Sequence, residues 1–152
     1  MEKHRIEIMG IVNVNDDSFF AQSRAKEKDA FIARVETMLE QGADSIDIGA
    51  VSTRPNMAPV SLEQEWERLS PVVQLFASRF AGVRFSVDTY RKEIVSRVYE
   101  TAGPFVVNDI SAGEEDPGML ERVAELDLEY IAMHRKGDCV TMHHNYEYED
   151  VV

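Results

Sequence analysis

The sequence predicts an α/β fold of the (β/α)8 TIM-barrel type, with about the first five βα units present as a single partial-barrel domain over residues 1–152. Three observations predict it. Short β-branched runs alternate strictly with segments of helical periodicity, the pattern of parallel βαβ units whose strands are buried on both faces. No G-x-G-x-x-G turn follows the first run, which removes the local fingerprint of a doubly wound dinucleotide-binding sheet. Each β-like run also ends in polar or charged residues, as it should where strand ends converge on one ligand face.

The elements follow in order. IEIMGIVNV, Ile6–Val14, is the first strand, and a polar loop runs from Asn15 to about Lys28. Phe31, Ile32, Val35, Met38 and Leu39 recur at helical spacing, and Gly42 stands just past the last turn, where a left-handed cap belongs. SIDIG is the second strand. Ser61 and Gln64 have capping-box spacing and open a helix with Leu62, Trp66, Leu69, Val72, Val73 and Phe76 inward. Pro71 lies inside that pattern and predicts a kink or break near Ser70, because it lacks the N–H a helix needs.

VRFSVD, Val83–Asp88, is the third strand, and Ile94, Val95 and Val98 mark the inward face of a helix that stops near Gly103. The fourth strand runs from Phe105 to about Asp109. Asp116 and Pro117 read as N-cap and first helical residue of a short helix with Met119, Leu120, Val123 and Leu126 inward. EYIAMH is the fifth strand, and a polar loop from Arg135 leads to another helix start at Tyr148–Val152.

Composition excludes several functions. Lys and Arg total 16 against 28 Asp and Glu, a formal charge of −12, so no basic face for nucleic acid or an anionic membrane is expected. No stretch approaches the roughly 18 apolar residues of a membrane span. The opening MEKHRIEIMG lacks a signal-peptide core, and the lone Cys139 suits a reducing compartment; the cytoplasm is expected.

The strand ends carry the candidate chemistry. They are Asn13; Gly49 ahead of Ser52, Thr53, Arg54 and Pro55; Asp88; Asn108 with Asp109; and His134. Taken singly, Asp88 or Asn108 is equally well explained as a cap, Asn13 as a turn former and Arg54 as a solvated loop charge. Recurrence at equivalent positions favours a shared site. An adjacent Asn and Asp suit a flat heterocycle rich in N–H and C=O edges, an Arg can grip phosphate, and an Asn oxygen can ligate Mg²⁺. His134, His143 and His144 match no zinc spacing.

IMGIVNVNDDSF, IDIGAVSTRP, FSVDTY, VVNDIS and the MHRKGD segment, in this order, resemble the successive strand-end motifs of dihydropteroate synthase over essentially the whole chain. The S-T-R-P after I-D-I-G is the most specific of them. The resemblance implies condensation of 6-hydroxymethyl-7,8-dihydropterin diphosphate with p-aminobenzoate, giving 7,8-dihydropteroate and diphosphate. It further implies that Asp88 and Asn108 hold the pterin and that Asn13 ligates Mg²⁺ on the diphosphate. Thr53, Arg54 and Pro55 would form a second loop over the aminobenzoate and the reacting centre, with Phe19 on the first loop.

Two departures accompany the match. The first loop reads Asn15-Asp16-Asp17-Ser18-Phe19-Phe20-Ala21-Gln22-Ser23 where the family has a T-P-D-S-F-S-D-G-G type run. The family's sixth to eighth strands, with a further Asp, a Lys, an Arg and a His, have no counterpart, so the chain alone is expected to be inactive. Two alternatives stand beside this reading: a methyltetrahydrofolate methyltransferase, and a non-catalytic half-barrel that self-associates to cover its open edges.

Overall fold

Alternation of β-branched and helical-period segments produces nine elements in the computed structural model, which describes residues 5–14, 24–50, 60–137 and 149–150. They are β1 Met9–Asn13, α1 Arg24–Glu40, β2 Ser45–Gly49, α2 Leu62–Phe76, β3 Arg84–Asp88, α3 Lys92–Ala102, β4 Val106–Asp109, α4 Met119–Glu125 and β5 Glu129–Ala132. All neighbouring strands pair in parallel, in the order β1-β2-β3-β4-β5.

That order decides between the two candidate architectures. A doubly wound sheet reverses direction at a switch point, whereas a barrel adds each strand beside the previous one. Here there is no reversal. Right-handed crossovers advancing in one direction bring every helix to the same face. On that face Val12, Ile46, Ile48, Val87 and Val107 share a core with Val35 of α1, Leu69 and Val73 of α2, Ile94 and Val98 of α3, and Met119 of α4. Each such side chain contributes on the order of 1.5 to 3 kcal/mol by leaving water. Phe76, Phe85 and Phe105 extend the core towards the strand amino ends, with ring centroids 4.6 and 5.7 Å apart.

The opposite face differs from the expectation of strands buried on both sides. β2 is buried throughout, but β1 and β5 are edge strands, and their residues facing away from the helices are open: Ile11 is 55 % exposed and Ile131 39 %. Arg84 crosses this face, pairing with Glu7 at 2.8 Å and Glu129 at 2.5 Å.

Several boundaries depart from the sequence reading. β1 is confined to Met9–Asn13, and α1 starts at Arg24, about one turn earlier than the apolar spacing indicates. Lys26, Lys28 and Asp29 are exposed, and a polar helical stretch of this kind is invisible to hydrophobic periodicity. Gly42 adopts φ 99°, as the cap requires, and Gly103 closes α3 at φ 79°. The Ser61–Gln64 capping box forms with both of its hydrogen bonds. α2 nevertheless runs through Pro71 without a break at Ser70. Pro71 and Glu67 are exposed, so water can satisfy the carbonyl that loses its partner.

Asp116 does not cap α4, whose N-cap is Gly118 with no side-chain bond. Its Oδ2 instead accepts from the Lys92 amide at 3.0 Å, so it caps α3 from a distance, while its Oδ1 accepts from Gly118 at 3.0 Å. That double role holds the Asp116 carboxyl below its usual range, despite its partial burial. The fifth strand stops at Ala132, short of His134. The helix start at Tyr148–Val152 lies almost wholly outside the described residues. Among the described residues no helix is long and apolar enough to cross a membrane.

One buried ion pair ties α2 to the sheet. Glu65 is 1 % exposed and accepts from Thr89 Oγ1 at 2.7 Å and from the Arg91 guanidinium. Burial pushes the Glu65 carboxyl above its usual range, and these donors oppose the shift. Removing one partner of a buried pair strands the other charge, at a cost of about 3 to 5 kcal/mol. Glu65→Ala should therefore lower stability by that order, read as a shift in the urea midpoint; a loss below about 0.5 kcal/mol, the scale of a surface substitution, would contradict the assignment.

Candidate active site at the strand carboxyl ends

Parallel pairing places Asn13 opposite Gly49, Gly49 opposite Asp88, and Asp88 opposite Asn108, so four strands contribute to one row at the carboxyl end of the sheet. By the two-residue period of a strand, all four face away from the helices. Gly49 makes the row possible. A methyl group there would lie 2.9 Å from Asn13 Oδ1 and 3.5 Å from Asp88 Oδ2, so the missing side chain leaves those two oxygens flanking one small space. The backbone continues the pairing past the strands, with Val14 N donating to Gly49 O at 2.7 Å and Thr89 N to Asn108 O at 3.1 Å.

Asp88 is the electrostatic centre of the row. Burial, then the nearby carboxyls of Asp47, Glu65 and Asp109, push its pKa up from 3.8 to about 7. Near neutral pH it is divided between a carboxylic acid, which can donate a hydrogen bond, and a carboxylate, which can only accept.

The structure separates the sequence candidates. Asn13, Asp88 and Asn108 are brought together. Asp109, grouped with Asn108 on sequence, is not available: it is fully buried and accepts from the Ser111 amide and hydroxyl at 2.7 Å each, the Gly113 amide at 2.9 Å and the Tyr130 hydroxyl at 2.7 Å. It shapes the turn after β4, and burial, then the hydrogen bond to the Asp109 carboxyl and its charge, push the Tyr130 hydroxyl pKa up. His134 lies beyond β5 and is exposed. Phe19, Ser52, Thr53, Arg54, Pro55, His143 and His144 lie outside the described residues.

Three features were missed on sequence. Asp47 sits one layer below the row, buried in mid-strand, and accepts from Ser86 Oγ at 2.5 Å and Asn108 Nδ2 at 3.3 Å. Its position between Ile46 and Ile48, two residues before Gly49, was the available signal, because period two puts it on the ligand face. Arg68 donates to Ala50 O at 2.9 Å, and Arg91 donates to Val60 O at 2.6 Å. The two arginines thus hold the described residues on either side of 51–59, and no local pattern announces that.

Among the described residues no group of three or more His, Cys, Asp or Glu is arranged to hold a metal. Mg²⁺ is compatible with a single protein oxygen, because it keeps water and phosphate ligands. The exposed Asn13, with Oδ1 beside the space over Gly49, offers such an oxygen.

A sheet wound in one direction, with ligand-type side chains gathered at its carboxyl end, defines a βα-barrel-type binding protein. The chain belongs to the pterin binding enzyme family, whose model matches residues 9–152. It is 40 % identical over 144 residues to the dihydropteroate synthase of Escherichia coli (strain K12), covering 95 % of this chain and 50 % of that protein. The Yersinia pestis dihydropteroate synthase, solved with a sulfonamide drug complex, superposes with a TM-score of 0.81 at 37 % identity, covering 96 % of this chain and 52 % of that one. The Xanthomonas albilineans enzyme, solved with 4-aminobenzoic acid, gives a TM-score of 0.74 at 38 % identity, covering 89 % and 48 %. The chain spans about half the length of these relatives.

The raised Asp88 pKa has a stability consequence with a definite sign. From about pH 4 to 7 the folded chain holds a proton that the unfolded chain has released. Stability from the protonated form is therefore present below about pH 4 and lost as pH rises through about 7. Asp88→Asn removes the titration. It should raise the urea-derived stability at about pH 8 by on the order of 2 kcal/mol more than at about pH 4.5, after discounting for partial exposure. An equal effect at both pH values would show that Asp88 is not perturbed.

Proposed function

We propose that this chain supplies the pterin-holding part of a dihydropteroate synthase, which joins 6-hydroxymethyl-7,8-dihydropterin diphosphate to p-aminobenzoate and releases diphosphate. The observation that carries the reading is the row Asn13, Gly49, Asp88 and Asn108, with its side-chain-free gap at Gly49. Asp88 and Asn108 take the polar edge of the pterin, the first as acid or acceptor and the second through its amide. Asn13 would hold Mg²⁺ through its amide oxygen, and the bound ion would neutralise charge on the leaving diphosphate.

In this reading Thr53, Arg54 and Pro55 close over the reacting centre and the aminobenzoate, with Phe19 on the first loop. Arg54 compensates phosphate charge as the bond from the pterin methylene carbon to the diphosphate oxygen breaks. The aminobenzoate nitrogen forms the new bond to that carbon and gives up one proton. The protein's part is to orient the two reactants and keep water from the same carbon. Support for p-aminobenzoate comes from the Xanthomonas relative, which was solved with that ligand. A cytoplasmic setting goes with the reading, supported by the single cysteine, Cys139, in the chain.

Calorimetric titration of the 152-residue chain with pterin diphosphate and Mg²⁺ tests this. Binding is expected, with Asp88→Ala or Asn108→Ala weakening it by about tenfold or more, the value of one to two lost hydrogen bonds. No binding by the unaltered chain would sink the proposal. Turnover by the 152-residue chain alone is expected to be negligible, because single donors to developing charge are worth about 3 to 4 kcal/mol each and the relatives extend about twice as far. Family-like rates in a product assay would contradict that expectation.

A second reading draws on the exposed apolar residues of the edge strands, Ile11 and Ile131. An unpaired parallel edge beside such residues recruits another polypeptide, including a second copy of the chain. Sedimentation of a monomer at all concentrations would exclude self-association.

A further inference from the structure

We infer that Asp47 is a positioning residue: by taking one N–H of the Asn108 amide it fixes which way that amide faces, so that the amide oxygen is presented to the ligand. This rests on the pterin-site reading for the identity of the ligand, and on the geometry alone for the orientation of the amide.

Asp47 is 4 % exposed in the middle of β2, between Ile46 and Ile48. Burying a carboxyl is unfavourable unless donors satisfy it. Two donors do so here, Ser86 Oγ at 2.5 Å and Asn108 Nδ2 at 3.3 Å, and both reach the same oxygen, Oδ1. Both are neutral side chains, Ser86 from the adjacent β3 and Asn108 from β4 one strand further on, and both belong to the sheet face that carries the Asn13, Asp88 and Asn108 row. An apolar residue at position 47 would avoid that penalty, so what the carboxyl adds there is a directional acceptor.

A primary amide has two chemically opposite ends, and a side chain free to rotate presents either. At Asn108 the choice is constrained from below. Turning the amide over would set its oxygen against the Asp47 oxygen, acceptor against acceptor, and leave a buried carboxyl oxygen short of one donor. With Nδ2 committed to Asp47, Oδ1 is the other branch of the planar group, and Asp88 is the residue paired with Asn108 on the adjacent strand. The site then offers a fixed acceptor at Asn108 beside Asp88, and it selects flat heterocycles that present N–H donors on that edge. Ser86 contributes by filling the rest of Asp47 Oδ1, so that oxygen has no reason to turn towards solvent.

The test uses Asp47→Ala, Asp47→Asn and the double variant Asp47→Ala/Asn108→Asp. In nitrogen-15 spectra the wild-type Asn108 side-chain amide should exchange slowly with solvent. That protection should be lost in Asp47→Ala and kept in Asp47→Asn, whose amide oxygen can accept the same two bonds. Unchanged protection in Asp47→Ala would overturn the inference, whatever the ligand proves to be.

In calorimetry with 6-hydroxymethylpterin, Asp47→Ala should bind about tenfold more weakly, and Asp47→Asn should recover to within about threefold. The double variant should also recover, because a carboxylate at 108 offers an acceptor in either orientation and restores the charge removed at 47. Damage to folding alone would not be repaired by a change at 108. A double variant as weak as Asp47→Ala would therefore reject the positioning role. Failure of the unaltered chain to bind the pterin would count against the functional reading, and the amide-exchange measurement would still decide the orientation.

Discussion

Everything at the site depends on register. Parallel strands added in sequential order lock Asn13, Gly49, Asp88 and Asn108 at one level, although the residues are spread over almost a hundred positions of chain. A slip of one residue in any pairing would turn that strand's contribution onto the helix face and send an Ile or Val outward. The register is protected by the core itself. Val12, Ile48, Val87 and Val107 alternate with the site residues, and only one alignment buries all four. Stability and ligand geometry are therefore set by the same alternation.

The electrostatics follow from crowding carboxyls onto a surface that burial has partly dried. Beyond burial itself, Asp47, Glu65 and Asp109 lie close enough for their charges to disfavour ionisation of Asp88. The chain manages each differently. Arg91 compensates Glu65, hydroxyls and amides surround Asp109, and Ser86 and Asn108 attend Asp47. Among the described residues Asp88 has no comparable set, and it responds by holding its proton into the neutral range. A ligand bringing N–H groups or a cation to this row relieves a repulsion already present, which is the arrangement expected of a binding site rather than of a structural cluster.

Most of the architecture was readable because it is written in periodicity. The runs Ser45–Gly49 and Arg84–Asp88, the inward faces of α2 and α3, and the glycines at positions 42 and 103 follow from local rules. What escaped is non-local. Asp116 looks like a local cap and serves a helix 24 residues earlier; Asp109 looks like a ligand contact and is consumed by its own turn and by Tyr130. Asp47 was visible as an acid in an apolar strand, but its partners come from β3 and β4, which only the folded sheet brings near. Pro71 misled in the opposite direction, because local chemistry predicts a break that an exposed helix face can absorb.

The central claim is that the carboxyl-end row is where the ligand sits. Backbone nitrogen-15 and proton shifts recorded while pterin diphosphate and Mg²⁺ are added test it most directly. The account predicts the largest changes at Asn13, Gly49, Asp88, Thr89 and Asn108, with Ser45, Arg84 and Glu129 at the other end of the same strands left nearly still. Changes concentrated instead around the cavity of about 180 Å³ lined by Val83, Phe85, Pro104, Phe105 and Leu128 would contradict it, because that cavity lies at the amino ends of the strands.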